Sequence, residues 1–160
     1  MLQYTLVTKD NCALIEVVFD ILRRCGEQMY QDNGFEHWYP AYSKDAIRDD
    51  CHNKMVFLAW DEKQSEYVST FQIYLEKNQV KPLVYIRKVA TTPLYYGRGI
   101  GKQVLEFITD FSKKINIGTI ALDVYDKSEQ AIKFYLNNGF VVVGKRATRR
   151  FQVLLMEKNI

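Results

Sequence analysis

Long apolar runs are missing from this chain. No stretch approaches the ~20 consecutive apolar residues that a bilayer-spanning helix needs, so no transmembrane helix and no membrane partner are expected. Cysteine is scarce: Cys12, Cys25 and Cys51 are odd in number and form no C-x-x-C pair. That pattern indicates neither a disulfide framework nor a zinc site, and no metal is expected. The thiols read as reduced side chains of a cytoplasmic protein. The N-terminus lacks a basic head followed by an apolar run, so no signal peptide is expected. Internal repeats, linkers and low-complexity tracts are also missing, which leaves a single domain over residues 1–160 as the expectation. Charge of one sign is modest: the formal net charge is +3, too small to argue for nucleic acid but favourable to an anionic ligand. The cluster Lys145, Arg146, Arg149 and Arg150 reads first as a solvated hairpin.

What is present is the composition of a globular α/β protein, with 48% hydrophobic and 26% charged residues. Residues 3–7 form a strand-like run. Residues 11–31 read as a helix with Leu14, Val17, Val18, Ile21, Leu22 and Cys25 on one face. An aromatic loop over 34–42 precedes Ser43, which caps a short helix through Arg48. Residues 55–60 and 67–75 make a hairpin. Residues 84–91 are β-branched and aromatic and read as a further strand, closed by Pro93 because proline cannot donate to a ladder. Ile100, Val104, Leu105, Ile108, Phe111 and Ile115 then recur at helical spacing. Residues 119–125 form another strand. Ser128 is placed to cap a second helix that Gly139 ends, and residues 140–145 and 151–157 form a last pair. Two strands joined through a helix are expected to be parallel, with a right-handed crossover.

The junction between the 84–91 strand and the following helix reads Tyr96-Gly97-Arg98-Gly99-Ile100-Gly101-Lys102. Glycines there let the backbone approach a ligand closely, and a helix start offers several free N–H groups pointing one way. Together these make an anion site, best suited to phosphate. A Walker A loop is excluded, because Gln103 rather than Ser or Thr follows Gly101-Lys102. A dinucleotide fingerprint fits Gly97 and Gly99 but finds Lys102 where its third glycine belongs. Taken alone, the loop is also compatible with a glycine-rich turn that holds no ligand.

The next segment adds Ala131-Ile132-Lys133-Phe134-Tyr135 and Gly139-Phe140 after a strand. The order strand, P-x-x-x-G-x-G-x-G helix, strand, A-x-x-F-Y-x-x-x-G-F resembles the GNAT superfamily of acetyl-CoA-dependent N-acetyltransferases over about residues 84–145. Two positions depart from that pattern: Tyr96 stands where the loop usually opens with Gln or Arg, and Ser128 where Asn usually precedes the second helix.

The resemblance implies a mixed, largely antiparallel central sheet flanked by helices, with one parallel central pair. It implies acetyl-CoA as cofactor and direct attack by a primary amine, without a covalent acyl-enzyme. It places Val89, Ala90 and Thr91 along the pantetheine arm, and Gly97, Arg98, Gly99, Ile100, Gly101 and Lys102 around the pyrophosphate, with Ser128 nearby. Tyr135 matches the residue that protonates the departing sulfur. The general base stays open: the central strand offers Arg87 and Lys88 but no acid, leaving Asp123, Glu76 through water, or His37.

On the acceptor side, the segment from Gly26 to Pro40 resembles the substrate helix and loop of small-molecule members. It combines Trp38, Tyr39 and Phe35 with Glu27 and Glu36. The same loop also suits simple packing through Trp38. The expected activity is acetyl transfer to a small-molecule amine; a protein or peptide amine, or a non-catalytic CoA-binding module, are the alternatives. The apolar run 151–156 suits either a strand covered within the chain or pairing in a homodimer.

Overall fold

The computed structural model describes residues 1–77 and 80–160. In chain order the elements are β1 (Leu2–Val7), α1 (Cys12–Asn33), α2 (Lys44–Asn53), β2 (Met55–Asp61), β3 (Glu66–Glu76), β4 (Leu83–Thr91), a 3₁₀ turn (Pro93–Tyr95), α3 (Ile100–Lys114), β5 (Thr119–Tyr125), α4 (Glu129–Asn137), β6 (Val141–Ala147) and β7 (Gln152–Asn159). The strands form one mixed sheet in the order β1-β2-β3-β4-β5-β7-β6. β4 and β5 are parallel, as a helical crossover requires, and the β1–β2, β2–β3, β5–β7 and β6–β7 pairs are antiparallel. By its contacts the chain divides into two compact units, Met1–Tyr74 with Lys88–Val104, and Leu75–Arg87 with Leu105–Ile160.

The first unit is built around α1. Asn11 caps it by accepting from the Leu14 N–H at 3.1 Å, and Gly34 ends it in the left-handed region at φ 69°. Its buried stripe, Ile15, Val18, Ile21, Leu22 and Cys25, packs with Val7, Ile47, Val56, Leu58 and Ala90 in one apolar cluster. Leu14 and Val17 lie at the margin of that cluster. Gly26 sits where α1 meets the aromatic loop: a Cβ there would come within 2.2 Å of the Trp38 carbonyl oxygen. Gly26→Ala is therefore expected to lower stability by ~1–3 kcal/mol, as overpacking does. An unchanged urea midpoint would show that the loop yields instead.

The short helix expected to stop near Arg48 runs on to Asn53. The extra turn, Asp49 to Asn53, has no apolar period to announce it. Its Asp50 is buried and held by side chains from β3 and β4.

In the second unit β5 pairs with β7 from Thr119↔Asn159 to Tyr125↔Val153, and β7 pairs with β6 on its other side. The run 151–156 is thus covered within the chain, and β6 lies at the edge of the sheet. Two smaller expectations are corrected. Ser128 occupies the cap position of α4, but its side chain makes no cap hydrogen bond. At the other end Gly139, one residue past the Asn138 cap and at φ 90°, ends the helix as expected. Ile115 falls past the end of α3 and is exposed, because the helical stripe closes with Ile108 and Phe111.

Candidate active site

Gly97 and Gly99 both lie in the left-handed region, at φ 75° and 77°, where side-chain-bearing residues are strained. A Cβ on either would meet nothing within 4 Å, so the space beside each glycine is open. Gly99 stands immediately before α3, and its carbonyl accepts the first helical bond, from the Gln103 N–H at 3.2 Å. The N–H groups of residues 100–102 precede that bond and have no partner one turn back along the helix. Open space, left-handed glycines and a helix start together fit a diphosphate. Arg98 is exposed and rests over the Tyr95 ring at 5.1 Å, while Lys102 is exposed on the first turn of α3.

Tyr96, the departure at the loop opening, has a structural task. Its hydroxyl is in hydrogen-bond contact with Cys25 of α1, and the Cys25 thiol donates to the Thr91 carbonyl at 3.0 Å. Burial pushes the Cys25 thiol up to about 11, against the hydrogen bond from Tyr96, so it stays protonated and able to donate. The glycine loop, the end of β4 and α1 are thereby tied together. Nothing in the sequence announced this link, since Cys25 and Tyr96 are far apart in the chain and the loop pattern says nothing of a cysteine partner.

Before the loop, the parallel β4–β5 ladder runs from Val84↔Ile120 to Ile86↔Leu122 and stops. Among the described residues, no β5 register continues into residues 87–91. On the other side, Ala90 accepts from the Ser69 hydroxyl at 2.7 Å, and Thr92 donates its N–H to Val68 at 2.9 Å. Lys88 takes a left-handed backbone in mid-strand, at φ 50°.

A cavity of about 240 Å³ opens between one face of α1, through Arg24, Glu27, Gln28 and Gln31, and Thr92, Pro93 and Leu94. The Thr92 hydroxyl is buried and has no hydrogen-bond partner among the described residues. Glu27 pairs with Arg23 at 3.1 Å and stays partly exposed. Of the expected acceptor residues, Glu27 lines this cavity. Trp38 instead packs at the margin of the core cluster and edge-on to Tyr42 at 6.5 Å, and Tyr39 stacks on Tyr30 at 4.2 Å. His37 is half-buried, and burial pushes its imidazole down to about 4, which keeps it neutral near pH 7. Glu76 is the last residue of β3.

The second unit holds the two residues expected to move protons. Tyr135 is buried on α4, its ring edge-on to Phe134 at 5.2 Å and to Phe140 at 5.4 Å. Burial raises its phenol well above the ordinary value, so it remains a proton donor throughout the physiological range. Asp123 lies on β5, half-buried; one carboxylate oxygen accepts from Arg146 of β6, and the other is buried without a partner among the described residues. Burial raises its carboxyl, and the Arg146 charge only partly opposes this. Ser128 precedes α4, with its N–H on the Tyr125 carbonyl at 3.0 Å.

The model of the acetyltransferase (GNAT) family matches residues 15–140, most of the chain. The chain belongs to that family. It is an acetyltransferase, and acetyl-CoA supplies the activated acetyl thioester. Solved structures repeat its fold. The ribosomal-protein-S18-alanine N-acetyltransferase from Escherichia coli is 16% identical, covering 100% of this chain and 94% of its own with a TM-score of 0.75. The PaiA N-acetyltransferase from Thermoplasma acidophilum, in complex with coenzyme A, is 21% identical over 100% of this chain and 99% of its own, at a TM-score of 0.70. A GNAT acetyltransferase from Elizabethkingia anophelis with acetyl-CoA bound is 14% identical over 99% and 98%, at 0.71. No curated protein sequence matches the chain. No helix among the described residues is long and apolar enough to cross a membrane.

Proposed function

We propose that this acetyltransferase moves the acetyl group to the primary amine of a small molecule, by direct attack of the amine on the thioester. The observation that carries the small-molecule reading is the cavity beside α1. At about 240 Å³ it is smaller than the roughly 300–1,000 Å³ of drug-sized ligand pockets. Its lining suits a compact polar amine: the Glu27 carboxylate offers an acceptor for an ammonium, and the buried Thr92 hydroxyl has hydrogen-bonding capacity to spare.

In this reading the main chain of Val89, Ala90 and Thr91 pairs with the pantetheine arm. The amides of residues 97–102 hold the diphosphate, with Arg98 and Lys102 adding charge and Ser128 contributing from the start of α4. Asp123 takes the proton that the amine must lose, a role its raised carboxyl supports. Tyr135 gives a proton to the departing sulfur.

The test is release of free CoA from acetyl-CoA across a panel of small primary amines and of short peptides with free N-termini. Turnover with a small amine is the expected result, and Glu27→Gln should raise the KM for that amine about 10-fold with little change in kcat, the size of one hydrogen bond to a charged group. Turnover with peptides alone would favour a protein or peptide acceptor. The observation behind that second reading is the position of Asp123 on β5, a position that family members acetylating peptides use for an acidic base.

A further inference from the structure

Within the first unit, Lys88 combines two features that no local sequence signal requires. Its backbone is left-handed in the middle of β4, a conformation that residues with a Cβ avoid and glycine adopts freely. Its side chain is 9% exposed, and its ammonium donates to Asp50 of α2 at 2.6 Å. Around this pair the structure is specific. The same Asp50 oxygen accepts from the Gln72 amide at 2.9 Å, the other oxygen faces Lys54 at 3.3 Å, and the Tyr42 ring lies 4.0 Å beneath the Lys88 nitrogen. Burial pushes the Asp50 carboxyl upward, but hydrogen bonds from Lys88 and Gln72, with the charges of Lys88 and Lys54, outweigh it and hold it ionised.

Such a cluster is a poor way to gain stability. Apolar side chains of similar volume generally do as well as a buried ion pair, and here Gln72 also leaves its carbonyl oxygen buried without a partner among the described residues. What the pair does provide is a direction. A residue whose side chain must reach Asp50 has its backbone fixed. The kink falls two residues after the β5 ladder ends at Ile86, and immediately before Val89, Ala90 and Thr91.

We propose that the buried Asp50–Lys88 pair is a positioning device: it holds Lys88 left-handed and so aims the main chain of residues 89–91 at the pantetheine arm of acetyl-CoA. This rests on the assignment of 89–91 to that arm. Lys88 and Asp50 touch neither cofactor nor amine in this account; they act through the backbone.

The test separates the backbone from the charge. Lys88→Gly and Lys88→Asn both lose the ion pair but tolerate the left-handed conformation. Lys88→Ala and Lys88→Val lose the pair and resist it. Calorimetric titration of the full chain with CoA, with melting curves alongside, should place the variants in the order of left-handed tolerance. Alanine and valine should weaken CoA binding about tenfold or more relative to glycine, the scale of a left-handed L-residue. All four should melt lower than the parent, because each leaves the buried Asp50 with Gln72 and Lys54 but without its closest cation. If Gly and Ala bind CoA alike, whether both normal or both weakened, the pair does not act through the backbone and the proposal falls. Asn against Val makes the same comparison should the alanine variant fail to fold. A parent chain that binds CoA, with variants ranked only by their melting points, would reduce the pair to a structural role. A parent chain that does not bind CoA at all would overturn the cofactor assignment itself.

Discussion

If Tyr135 is the general acid proposed for the departing sulfur, Tyr135→Phe is expected to lower turnover by about 10²–10⁴-fold, the usual worth of a positioned general acid. Coenzyme A affinity should hardly change, because the substitution removes one oxygen and keeps the edge-on ring contacts with Phe134 and Phe140. The direction of the proton follows from the surroundings of the phenol. Burial raises its pKa far above neutrality, so it is a poor base and a reliable donor at every pH where the enzyme would work. Single-turnover measurements, with acetyl-CoA bound in advance and a saturating amine, isolate the chemical step. An unchanged rate there removes Tyr135 from the mechanism and leaves it as packing.

Gly99→Val should reduce coenzyme A affinity at least ~30-fold, corresponding to the upper part of the ~1–2 kcal/mol cost of a left-handed L-residue. Two effects add. The free loop relaxes away from φ 77°, so binding must restore the strained backbone before the first amides of α3 face the diphosphate. The new side chain also enters the open space that a Cβ there would meet. Folding stability should fall by no more than that same ~1–2 kcal/mol, since the added Cβ meets no steric clash and the loop that relaxes escapes the strain. Titration calorimetry for affinity and thermal melting for stability give the two readouts. Unaltered affinity would mean that the loop does not hold the diphosphate.

The legible parts of the sequence were those where one residue type answers one local demand. The apolar stripe from Ile100 to Ile108 could only be a helix with a single buried face, and the residues between Thr119 and Tyr125 form the strand they suggest. Gly97 and Gly99 announced a left-handed loop because no other residue adopts it so freely. The parallel pairing of β4 and β5 followed from the intervening helix.

What stayed hidden depends on partners distant in sequence. The last turn of α2 has a single apolar residue, Cys51, and its buried Asp50 finds its partners, Gln72 and Lys88, 22 and 38 residues later. A left-handed lysine in a strand has no local signature at all. The tie from Tyr96 through Cys25 to Thr91 was equally invisible. Trp38, read as an acceptor wall or as packing, packs at the margin of the core with its backbone against Gly26 of α1, a fit that only the folded chain reveals.

The placement of β7 between β5 and β6 has a consequence for biogenesis. While a ribosome is still translating, β5 and β6 are already made but lack the strand that joins them. Their unpaired edges wait until residues 152–159 have emerged, so nascent chains stalled before that point should be the species that chaperones hold longest.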